Sequence, residues 1–163
     1  MLAEAPGFLV ALEQSAFAAG IRQSVWAYPT ANVGHIVALF VFAGAVSVMD
    51  LALLGALRAA APSTIVRFAR RAAVTGLLLM AVTGSVLFTA EASHVAMNPV
   101  FQIKAALIGL GIANALLVGG PLRRALKETK PSEPFPWRLR AAAVFSLMIW
   151  VSVAACGRLI AYF

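Results

Sequence analysis

The chain has 163 residues, 62% of them hydrophobic and only 12% charged, about half the charge of an ordinary soluble domain. Its formal net charge of +7 does not mark a nucleic-acid binder, because the basic residues sit in short connections between apolar runs without interleaved aromatics. No long polar stretch offers a second domain, and the lone Cys156 excludes an intrachain disulfide, so residues 1–163 are expected to form one integral membrane domain.

Residues 5–22 open the chain in "APGFLVALEQSAFAAGIRQS". On a helix Phe8, Leu9, Leu12, Ala16 and Phe17 share one side, with Glu13 and Gln14 on the other. This predicts an amphipathic helix lying on the membrane surface. It does not read as a secretory signal, having no basic start and being interrupted by Glu4 and Glu13. Trp26 and Tyr28 then form an interfacial aromatic anchor, and Pro29 suits the first turn of a helix.

The first predicted span covers residues 30–57. It is longer than a ~30 Å hydrocarbon core requires, so it tilts or extends beyond the bilayer. Within it, "YPTANVGHIVALFVFAG" carries His35, about 9 Å along the helix from Pro29. A titratable ring at that depth is costly and marks a functional site by default. Asn32, one turn earlier, shares its face and is placed to orient the imidazole. Asp50, near the other end, suits either an ion pair with Arg67, Arg70 or Arg71, or a proton site.

The second predicted span is 72–95, with Gly76 and Gly84 two turns apart around Met80 as a close-packing face. Its outer end, "FTAEASHVAMNP", holds Glu91, His94 and Met97. The third is 100–119. Ala105, Gly109 and Ala113 form a small-residue stripe there. Lys104, Ile108, Gly111 and Asn114 occupy a neighbouring face, where Gly111 clears room for a flat ligand. The fourth is 138–163, with Cys156 as a packing residue and Arg158 near its end. Runs this long do not alternate, which excludes strands. The expected fold is all-α: a four-helix membrane bundle with an N-terminal interfacial helix.

Ten of the 13 basic residues lie between spans one and two (Arg58, Arg67, Arg70, Arg71) or three and four (Arg123, Arg124, Lys127, Lys130, Arg138, Arg140). The positive-inside rule places these connections in the cytoplasm and both termini in the periplasm of a bacterial inner membrane. His35, Lys104 and Arg158 then enter from the outer side to one depth, with His94 at the same end. Lys104 and Arg158 either snorkel to headgroups or face a ligand.

"WAYPTANVGHIVALFVFAGAVSVMDLALLG" followed by a basic connection and "NPVFQIKAALIGLGIAN" resembles a family of small bacterial four-span inner-membrane proteins similar to the membrane domain of the copper-resistance D (CopD) family. More distantly it resembles the four-span protoporphyrinogen oxidase family HemJ. The HemJ resemblance implies haem b, with a functional histidine in the first span and a lysine opening a later one. His35 and Lys104 are the matching positions. The CopD resemblance implies copper uptake.

Three functions follow as expectations. A b-type haem electron-transfer or oxidoreductase component would use His35 as axial ligand, His94 as a second, and Lys104 and Arg158 for the propionates. Its partners would be quinol and a periplasmic redox protein. A copper-handling protein would use His35, His94 and Met97 as a soft site and meet a periplasmic copper protein. A non-catalytic accessory or anchor subunit would need no cofactor, only lipid and a complex partner or a second copy. Orientation is testable first. In a Cys156→Ala background, a cysteine at Ser132 should react with an impermeant thiol reagent only after the inner membrane is opened. One at Ser93 should react in intact spheroplasts, and the reverse pattern would overturn the topology.

Overall fold

The computed structural model describes residues 5–57, 62–128 and 133–162. Arg58, Lys130 and Ser132, used above for topology, lie outside the described residues. Among those described, all regular structure is helical. Four helices are long and apolar enough to cross a membrane.

The N-terminal segment is two helices rather than one, α1 (Gly7–Glu13) and α2 (Ala16–Gln23). Ser15 makes the break, because its side chain accepts a hydrogen bond from the Ala18 N–H (3.2 Å) and so caps α2. Leu9, Ala18 and Ile21 are buried, while Phe8 and Phe17 stand exposed. Glu13 does not face away from the protein as the amphipathic pattern suggests. Its carboxylate accepts from the Ser93 N–H (2.8 Å) and from the Ser93 hydroxyl. Arg22 ties the same corner by donating to the carbonyls of Glu13 (2.9 Å) and Ala90 (2.8 Å).

The spans differ from expectation at their ends, each for a local reason. Helix α3 (Ala27–Leu54) begins before residue 30 because the Ser24 hydroxyl accepts from the Ala27 N–H (3.0 Å). It stops before residue 57 because Gly55 turns left-handed (φ 79°) and its N–H, with that of Ala56, closes onto the last carbonyls. Helix α4 (Pro62–Ala90) starts on a proline, favoured at a first helical position, not at residue 72. It ends short of residue 95, and a separate short helix α5 (Ala92–Met97) carries His94. Asn98 caps α6 (Pro99–Glu128) by accepting from the N–H groups of Val100 (2.9 Å) and Phe101 (3.2 Å). This helix passes through Pro121 and runs well beyond residue 119. Helix α7 (Trp137–Leu159) ends in a 3₁₀ turn, Ile160–Tyr162. Consequently Arg67, Arg70, Arg71, Arg123, Arg124 and Lys127 ride on helices, not on loops.

Helix α3 is central, packing on α4 along one side and on α7 along the other, and α7 packs on α6. The backbones of α4 and α6 stay apart. Their side chains meet near α5, where Phe88 stacks on Phe101 at 5.5 Å, and at the basic end, where Val66 joins Leu122 and Leu126. One buried cluster joins Phe42, Val46 and Ala73, with Trp150 against it. A second, nearer the basic end, gathers Leu53, Val66, Leu122, Leu126 and Leu139. Phe40, Leu78, Leu116 and Leu117 remain exposed, as expected where the outer solvent is lipid. The small-residue stripe of Ala105, Gly109 and Ala113 is likewise exposed, with open space at Gly109.

Asp50 forms no ion pair with Arg67, Arg70 or Arg71 among the described residues. It is 1% exposed, lies against Ser146 on α7, and its Oδ2 has no hydrogen-bond partner among the described residues. Arg67 instead donates to the Leu126 carbonyl (3.3 Å), and Arg70 lies over Gly119.

The α3–α4 crossing depends on Gly76, where an added Cβ would lie 2.9 Å from the Phe42 backbone nitrogen. Gly76→Leu should therefore force the helices apart and cost roughly 1–3 kcal/mol. Gly44→Ala, with open space at the same site, should be neutral or slightly stabilising. Thermal unfolding in mild detergent, followed by circular dichroism, distinguishes the two. Equal losses would remove Gly76 from the crossing.

The corner at Glu13 is sensitive to acid. The Ser93 hydroxyl, then the Ser93 N–H, hold the Glu13 carboxyl below its ordinary value of 4.5. A group depressed in the folded state contributes stability that is complete above its unfolded value and lost as pH falls through the folded one. The protection factor of the α1 amides, in which the pH dependence of intrinsic exchange is divided out, should therefore fall once pH drops below 4.5. Glu13→Gln should be less protected already at neutral pH, with a protection factor that changes little on acidification. Identical pH profiles for the two proteins would sink this account.

Candidate functional site around His35

His35 occupies the α3–α4 crossing. Two glycines let the ring in. A Cβ on Gly84 would lie 3.1 Å from His35 Cε1, and one on Gly34 would lie 3.4 Å from Thr83 Cγ2. The imidazole is half-buried, with its Nδ1 2.9 Å from Thr83 Oγ1.

The proton on that ring can be placed by following the hydrogen bonds. The Thr83 hydroxyl donates to the Leu79 carbonyl one turn back (2.7 Å). A hydroxyl has one proton, so toward His35 it offers only a lone pair. With the Thr83 proton committed to Leu79, the bond at 2.9 Å is made by an Nδ1–H donating to the Thr83 oxygen. In the neutral ring Nε2 is then a free base. This is the arrangement that orients a ligating histidine: one nitrogen donates to a fixed partner and the other is left for the ligand.

Lys104 approaches from α6. It is half-buried, and its Nζ rests over α7 beside Gly157, 3.3 Å from where a Cβ would stand. Its charge reaches the His35 ring and Cys156. Three helices thus bring an imidazole, a hydroxyl and an ammonium into one region, and a fourth contributes the glycine that makes room.

Other expected members lie elsewhere. Asn32 is exposed, and Thr83 has the orienting role assigned to it from sequence. Arg158 is exposed and turns to Tyr162, donating to its hydroxyl (2.6 Å) with the guanidinium 4.7 Å from the ring centre. His94 is exposed on α5, and Met97 is half-buried there. Among the described residues no three His, Cys, Asp or Glu side chains gather as a metal-binding group. The space expected at Gly111 for a flat ligand is filled by the Trp150 indole, which a Cβ there would meet at 2.7 Å. Trp150 in turn packs edge-on against Phe42 at 4.5 Å. Asn114, on the same face, donates to the Ala142 carbonyl (3.2 Å) and helps hold α6 to α7.

Sequence reasoning missed Thr83 and Gly157. Thr83 had a visible signal, since it falls on the helical face already marked by Gly76, Met80 and Gly84. Gly157 had none, because which residue lies under Lys104 depends on how α6 and α7 cross.

Residues 16–163 match a family described as "Family of unknown function (DUF6644)", and the chain belongs to that family. No curated protein and no solved structure matches it.

Proposed function

We propose that this protein is a b-type haem redox component of a bacterial inner membrane, with both termini periplasmic, passing electrons between quinol and a periplasmic partner. The observation that carries this reading is the orientation of His35. Its Nδ1 lies 2.9 Å from the Thr83 hydroxyl, itself bonded to the Leu79 carbonyl, so that Nε2 is the nitrogen left for a ligand within a membrane-crossing segment.

The donor set fits a haem held by one histidine. His35 Nε2 would be the nitrogen to hold the iron, and Lys104 would supply a cation for a propionate. The exposed His94 and the Tyr162-bound Arg158 are not gathered with them. When bound, haem supplies one-electron chemistry at its iron. Thr83 holds the imidazole from its Nδ1 side, as a partner that orients a ligating histidine does. Gly84 allows the ring to lie close against α4, and the surrounding apolar helices exclude water. Ten basic residues toward the other end support the orientation, as does the likeness of His35 and Lys104 to positions in HemJ.

An absorption spectrum of the purified protein tests the reading. A Soret band is expected, lost in His35→Ala while the bundle remains inserted. Thr83→Val should keep the band but lower haem affinity about 10- to 100-fold, the usual cost of removing a partner that orients a ligand. Lys104→Ala should weaken retention without abolishing the band. Bound copper without a Soret band, depending on His94 and Met97 as much as on His35, would replace this reading with copper handling. Neither cofactor would leave an accessory or anchor subunit.

A further inference from the structure

Six cations surround a cleft at the basic end of the molecule. It has a volume of about 1050 Å³ and lies between the start of α4 and the end of α6. Arg67, Arg70 and Arg71 line it from α4, and Arg123, Arg124 and Lys127 from α6. One acid, Glu128, is also at the rim. The spacing on each helix puts its cations on one face, so two basic faces look at each other across the gap. Like charges at such a distance repel unless an anion lies between them.

The arrangement is built rather than incidental. Arg67 crosses the gap to the Leu126 carbonyl (3.3 Å) and links the two helices. Arg70 is seated where Gly119 has no side chain, its guanidinium 3.4 Å from the position a Cβ would take. These contacts engage backbone and empty space, and among the described residues neither guanidinium forms an ion pair with a carboxylate.

The cleft also changes character along its length. Toward the bundle its wall becomes Val74 and Thr75. From Val74 the same face of α4 continues to Leu78 and Val82, all three exposed. A ligand with phosphate at one end and hydrocarbon at the other matches this sequence of surfaces. Phosphate oxygens meet the arginine forks, which suit them geometrically, and an acyl chain lies along Val74, Leu78 and Val82. Six cations against one acid favour two phosphates over one.

We propose that the α4–α6 cleft binds the headgroup of an anionic membrane lipid carrying two phosphates. This site is independent of the His35 region and stands whether or not haem binds there.

The test is lipid retention by the full-length protein, measured by native mass spectrometry from detergent micelles. The probe is cardiolipin, compared with phosphatidylglycerol at matched total charge. Wild type should retain cardiolipin preferentially. The double variant Arg70→Gln, Arg124→Gln should lose at least about tenfold of that retention. Arg138→Gln, which removes a cation lying over Trp137 outside the cleft, should retain the lipid as wild type does. Circular dichroism checks that the double variant keeps its helix content. If that variant unfolds, the single variants Arg70→Lys and Arg124→Lys, which keep charge but lose the two-pronged fork, should each weaken retention. Inorganic pyrophosphate added to lipid-free protein distinguishes the sources. Binding as tight as that of cardiolipin would make this a site for soluble phosphate and overturn the lipid assignment. Equal retention of the two lipids, or equal loss in the Arg138 variant, would reduce the cleft to general surface charge and overturn it too.

Discussion

The close approach of α3 to α4 is the constraint on which the rest depends. Between membrane helices there is little hydrophobic drive, so contact relies on backbones coming near enough for dispersion and short hydrogen bonds to act. Gly76 supplies that nearness at Phe42, and Gly84 supplies it two turns on at His35. With side chains at these positions the Thr83 hydroxyl would not reach the imidazole. The same two glycines therefore set the packing and the tautomer of His35. Phe42, held at the crossing, also receives the edge of Trp150 and so connects α3 to α7.

From this spine the two ends of the molecule are built differently. The end that carries α1, α2 and α5 is closed by polar ties between distant segments. Glu13 reaches Ser93, Arg22 reaches Ala90, and Asn98 caps α6. Phe88 and Phe101 stack across the gap between α4 and α6. The basic end is open, with long helical extensions holding cations apart around a cleft. A cleft at an open, basic end favours capture of an anion from the membrane surface.

Asp50 stands between these regions and belongs to neither. It is buried among helices α3 and α7 with one oxygen unpartnered. Such groups are uncommon, because an unsatisfied buried polar atom costs stability. The expectation of an arginine partner failed because α4 and α6 carry their arginines on faces turned to the cleft, with Arg67 committed to Leu126.

Much of the architecture was legible from residue order alone. Four apolar runs, each able to cross hydrocarbon, admit only helices, because no other open structure satisfies its own backbone hydrogen bonds there. Gly76 and Gly84 announced a packing face, and His35 stood out because a titratable ring in such a run is rare. Helix ends were less legible, since Ser15, Ser24 and Asn98 decide them through single side-chain bonds that composition does not rank. The site itself was half visible. Chain order placed His35 and Lys104 at similar depths, but depth does not say which way a side chain faces. Only the crossing angles of α3, α4, α6 and α7 decided that Thr83, not Asn32, meets the imidazole, that Trp150 fills the space at Gly111, and that Arg158 turns away to Tyr162. Hydrophobic period determines how many helices there are and how far they reach. The rotation of each about its axis is set by contacts between residues far apart in the chain, and that rotation decides what the polar residues can do.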